Sequence, residues 1–105
     1  MALIKNVDIY LGEPMHSIKL FAELHTYFNR NKQLLVNIGM NQRTFDVVKN
    51  IKGIKEWFDP VVEEKDYSKG IRGRLFGTFI YIIDIPDSTI QGTSDLFAYE
   101  LAKGS

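Results

Sequence analysis

Gly73-Arg74-Leu75-Phe76-Gly77-Thr78-Phe79-Ile80-Tyr81-Ile82-Ile83-Asp84-Ile85-Pro86 is the stretch whose reading decides the fold. It is rich in β-branched and aromatic residues, carries no charge between Arg74 and Asp84, and ends in proline. A run this apolar has no solvated side. The sequence therefore predicts one central strand through it, covered on both faces.

The segments around it must supply the covering layers. Val7, Ile9 and Leu11 alternate with Asp8 and Tyr10, which predicts a half-buried strand over 3–11, ended by Gly12 and Pro14. Ile18, Phe21, Leu24 and Phe28 then recur at three and four residues, predicting a helix from Ser17, its N-cap, to Arg30. Gln33 to Ile38 is apolar but too short for a helix, and reads as a second buried strand broken by Gly39-Met40-Asn41. A second helix carries Phe45, Val48 and Ile51 on one stripe, with Asn41 or Thr44 as cap and Gly53 at its C-terminal end. Ile54 to Phe58 forms a further turn stopped by Asp59-Pro60.

Val61 to Tyr67 reads as an edge strand or a surface loop, and Ser68 to Gly73 as a glycine-spaced basic connector. Pro86-Asp87-Ser88 and Gln91 to Ser94 read as turns, and Leu96 to Leu101 as a final strand or short helix. The expected architecture is α+β (α/β-like): one domain over residues 1–103, a mixed sheet of about four strands, and two helices packed on it. Gly104-Ser105 reads as an appended remnant outside the fold.

Composition narrows the chemistry. The 105 residues suit a single core, and 13 basic against 13 acidic residues leave no net field to attract nucleic acid or an anionic membrane. There is no cysteine, which removes disulfides, thiolate catalysis and Cys-based zinc sites. No apolar run approaches the roughly 20 residues of a spanning helix, and no signal segment is visible. His16 and His25 lie nine apart and point in opposed directions on a helix, so they do not suggest a shared metal. Glu63-Glu64 and Asp84/Asp87 read as solvated charge, and no serine lies in a Gly-x-Ser-x-Gly elbow. The expectation is no enzyme, no cofactor, no metal and no small-molecule substrate.

Two sets of residues stand out as contacts. Lys69, Arg72 and Arg74 sit among glycines and could cradle phosphate or touch an acidic neighbour, although Gly-Lys-Ser/Thr is absent. Trp57-Phe58 is either a partner anchor or a lid over the end of the core. Arg74 to Tyr81 also approaches an RNA-recognition strand, but Leu75 replaces its glycine and Thr78 one of its stacking aromatics.

The run from Gln33 to Ile38 leading to Asn41, a helix, a charged loop, and Gly73 to Ile82 ending at Ile85-Pro86 resembles the later part of tailed-phage major capsid proteins. The likeness extends over roughly Ser17 to Pro86 and corresponds to that family's axial domain, where sister copies meet around a capsomer axis. The resemblance implies a structural protein of the virion that contacts copies of itself or other shell subunits, through loops that include Lys69, Arg72 and Arg74. The alternative is a small regulatory or inhibitory module, cytoplasmic, that contacts a partner or nucleic acid through Lys69–Arg74.

Overall fold

The computed structural model describes residues 3–9 and 17–99, the side chains of 17 and 18 apart. Among them a six-stranded mixed sheet runs in the order β1-β6-β2-β5-β4-β3. The strands are β1 (Ile4–Asp8), β2 (Asn37–Met40), β3 (Phe58–Asp59), β4 (Ile71–Leu75), β5 (Thr78–Ile82) and β6 (Thr89–Thr93). The helices are α1 (Ser17–Arg30), α2 (Gln42–Val48) and the short α3 (Glu64–Ser68). The α+β class and the mixed sheet are as the sequence predicts, with six strands in place of about four.

The decisive stretch is two strands and not one. β4 and β5 form a hairpin whose two-residue turn is Phe76-Gly77, with Leu75 opposite Thr78. Both turn residues have positive φ, 53° and 80°, the pattern that matches the twist of adjoining strands. β5 is the more central of the two, since β4 has only the two-residue β3 on its outer side. β5 pairs in parallel with β2 and antiparallel with β4, and Thr78, Ile80 and Tyr81 are buried.

Alternation along the strands separates two faces. Ile38, Met40, Ile80, Ile90 and Val7 join Leu20, Phe21, Leu24, Phe45 and Val48 in one core, so α1 and α2 cover the same side of the sheet. α1 comes close because β6 has glycine there: a Cβ at Gly92 would lie 2.8 Å from Leu35, 3.2 Å from Phe28 and 3.3 Å from Leu24. The opposite face carries a smaller cluster of Ile71, Tyr81 and Tyr99, with Val62, Phe79, Ile83 and Ala98 packed against it. Among the described residues that side is covered by the loop around Val62 and by a helical turn at Ala98-Tyr99, the helix alternative for Leu96 to Leu101.

Several boundaries move for identifiable reasons. The second strand is Asn37–Met40, not Gln33–Ile38; Leu34 is exposed, and Gly39 lies inside the strand because Ile83 and Tyr99 pack onto it. Of Val61–Tyr67, residues 61–63 are a loop as one alternative had it, while the rest belongs to α3. Gln91–Ser94 is not a turn, since Thr89–Thr93 pairs with both β1 and β2. Asn41 is the cap of α2: its Oδ1 accepts from Thr44 N–H at 2.8 Å. Val7 and Ile9 are buried as the alternation predicts, whereas Tyr10, Leu11 and Leu101 lie outside the described residues.

Candidate interaction surfaces

Trp57 and Phe58 lie in different surroundings. Phe58 is half-buried and meets Phe45 edge-on at 5.7 Å between centroids, so it closes the core. Trp57 is 64% exposed. Its ring lies 6.1 Å from that of Phe76, which is itself half-exposed at the hairpin tip and meets Phe21 edge-on at 6.4 Å. Turns through 49–57 bring Trp57 to the start of β3, and Phe58 pairs with Leu75, the residue before the turn. The two aromatic rings therefore share one end of the sheet. Asp59, Arg74 and Gly77 line the shallow hollow beside them.

Phe76 was not singled out from the sequence. Only half of a hairpin signal was present: Gly77 fits the second turn position, but Phe76 is not the Asn, Asp or Gly that marks the first.

Of the predicted basic connector only Lys69-Gly70 is a turn, where Lys69 caps α3; Arg72 and Arg74 lie within β4. Just before that strand, Gly70 C=O accepts from Ile82 N–H at 2.9 Å. The three side chains meet different neighbours. Arg72 stacks on Tyr67 with its guanidinium carbon 3.8 Å from the ring centre, and donates to Tyr67 C=O at 2.9 Å and Ile71 C=O at 3.1 Å. The Arg74 guanidinium lies 5.4 Å from the centre of the Phe79 ring. Lys69 borders a separate hollow.

That hollow, of about 630 Å³, lies on the face away from α1 and α2, at the far end of β5 from the hairpin tip. Tyr81, Ile83, Ile85, Ala98 and Tyr99 form its apolar wall, with Lys69, Asp84 and Gln91 at polar positions. The rings of Tyr81 and Tyr99 are 5.1 Å apart, and Tyr99 Oη donates to Gln91 C=O at 3.4 Å. Burial pushes the Tyr99 hydroxyl above its ordinary range, with neighbouring Tyr81 adding to the effect, so the ring is held neutral. A second hollow, of about 370 Å³, lies between the Val61–Asp66 segment and Arg74 and Phe79.

A further polar device holds the covering segment. Asn37 is fully buried, and its Nδ2 donates to Asp95 C=O at 3.2 Å and Leu96 C=O at 3.1 Å. Its Oδ1 has no partner. Past the other end of β2, Asn41 donates to Ile85 C=O and Asp87, and Arg43 pairs with Asp87 at 2.9 Å. The Pro86 turn is thereby tied to the helix start.

No group of three or more His, Asp or Glu among the described residues is placed to hold a metal ion, and no helix among them is long and apolar enough to cross a membrane. His16 lies outside the described residues. No family model, curated protein or solved structure matches the chain.

Proposed function

We propose that this domain is an assembly module of a virion shell, similar to the axial domain of tailed-phage capsid proteins, that works by contact between copies of the chain. The observation that supports this is the Trp57–Phe76 pair. Phe76 is held at φ 53°, a region that costs a side-chain-bearing residue roughly 1–2 kcal/mol and that asparagine tolerates better. A large, half-exposed aromatic in that position is a poor choice for making the turn and a good one for presenting a ring. Trp57 beside it adds the residue type most enriched where binding energy concentrates. The charged neighbours Asp59 and Arg74 supply a polar margin.

Sedimentation velocity and light scattering across a wide concentration range test the proposal. Wild-type chain is expected to gain mass with concentration, and Trp57→Ala to remain monomeric with an unchanged circular dichroism spectrum. A wild-type monomer at the highest soluble concentration overturns it.

A further inference from the structure

Beyond β6 the chain leaves the ladder of the sheet. Ser94 N–H still donates to Leu3 C=O at 3.2 Å, but among the described residues no backbone–backbone bond joins residues 95–99 to a strand. Ala98 N–H donates to Asp95 C=O at 3.4 Å and Phe97 N–H to Asp95 Oδ1 at 2.9 Å, both inside the segment. Side chains make the ties to the sheet. Asn37 Nδ2 donates to the Asp95 and Leu96 carbonyls, Thr93 Oγ1 accepts from Asp95 N–H at 3.0 Å, and Tyr99 Oη donates to Gln91 C=O. The segment can therefore lift without breaking a single rung of the ladder.

Its burial is as uneven as its bonding. Leu96 and Phe97 are already half-exposed, so lifting gives up chiefly the contacts of Ala98 and Tyr99. Tyr99 is the clasp: its ring packs on Tyr81 and over Gly39, where a Cβ would stand 3.0 Å from Cζ. Asn37 is the latch, and an incomplete one. Its buried Oδ1 has no hydrogen-bond partner among the described residues, so closing strips that oxygen of water and returns nothing. Lifting lets water back to it, which narrows the free-energy gap between closed and open.

We infer that residues 95–99 are a strap, latched by Asn37, that opens on its own while the six-stranded sheet and its helix-covered core stay folded. Opening withdraws Ala98 and Tyr99 from the 630 Å³ hollow that they wall, and bares Gly39 and Tyr81. Access to this face of the sheet is set by one short segment.

The chain has no cysteine, so a single introduced thiol reports opening wherever it is placed. Thr93→Cys puts one at a fully buried position where the strap begins, and Ile90→Cys puts one in the helix-covered core from the same strand. Without urea, Thr93→Cys is expected to react with a thiol reagent at least about a hundredfold faster than Ile90→Cys. Its rate is expected to stay nearly flat with urea, while that of Ile90→Cys rises steeply, because only global unfolding exposes a large surface. Adding Asn37→Leu is expected to speed Thr93→Cys at least about tenfold. Adding Ile80→Ala weakens the core in the closed and open forms alike, so it is expected to speed Ile90→Cys at least about tenfold and to leave Thr93→Cys within about threefold. If a variant does not fold, hydrogen exchange of the unaltered chain carries the test: the Asp95 amide is expected to exchange without urea dependence, and amides of β2 and β5 with the full dependence. Equal urea dependence at the two thiols, or at the two sets of amides, overturns the inference. So does a Thr93→Cys rate that Asn37→Leu leaves unchanged, or equal acceleration of both thiols by Ile80→Ala.

Discussion

A methyl group at Gly39 would meet Ile83 and stand 3.0 Å from Tyr99 Cζ, whereas one at Gly77 would meet nothing within 4 Å. The two glycines are needed for different reasons. At Gly39 the constraint is space between β2 and the segment covering it, so Gly39→Ala is expected to cost about 1–3 kcal/mol by overpacking. At Gly77 it is φ of 80°, so Gly77→Val is harmful through backbone strain and not through the close packing that a strand interior would have implied. Urea titration of both variants checks the two costs, and full tolerance of either substitution would contradict the reason given for it. Phe76 offers a sharper comparison. Phe76→Asn places the favoured residue before Gly77 in the turn, yet removes a ring that packs on Trp57 and Phe21. Thermal stability is expected to hold within about 1 kcal/mol while self-association falls. Loss of folding would show that the ring serves the core.

At the scale of elements, β5 carries the largest consequence. Ile80 is 1% exposed inside the helix-covered core, and Ile80→Ala is expected to cost about 2–5 kcal/mol. Ile82 is only half-buried, so Ile82→Ala is expected to cost clearly less, which corrects the equal effect implied by a strand buried along its whole length. Chemical denaturation of the two variants measures the difference. α2 depends on Asn41, which accepts from Thr44 N–H while donating to Ile85 C=O and Asp87. Asn41→Ala is expected to lose about 1–2 kcal/mol, more than Arg43→Ala, whose ion pair is largely solvent-exposed. An equal loss from the two would place the stabilisation in the ion pair and not in the cap.

For the molecule as a whole, Ala98 and Tyr99 help to close the sheet face opposite the helices. Tyr99 is 6% exposed, and its hydroxyl is shifted upward in the folded state by burial. An acid whose folded pKa is raised stabilises the fold fully below the unfolded value, and that stability is lost as pH rises through the alkaline range. Stability is therefore expected to fall above roughly pH 10, the ordinary tyrosine value, and to fall less steeply in Tyr99→Phe. Melting curves at rising alkaline pH provide the measurement; parallel profiles for the two chains would show that another group controls the loss.

The amino-acid order by itself determined the class of fold, α1 with its full extent, the cap of α2 down to Asn41 or Thr44, and the strand nature of the apolar stretch, because each depends on local periodicity or on a side chain reaching three residues along. It also singled out Trp57-Phe58 as an anchor or a lid, without separating the exposed Trp57 from the half-buried Phe58. Tertiary structure alone decided that the stretch folds back at Phe76-Gly77, that Thr89–Thr93 is a strand between β1 and β2, and that both long helices share one face. Those outcomes depend on which strand finds which partner, and a polar, glycine-containing run such as Thr89–Thr93 has no local pattern that announces its neighbours. The hollow is the extreme case. Its walls come from residues as far apart as Lys69 and Tyr99, and such a surface exists only once the sheet has brought them together.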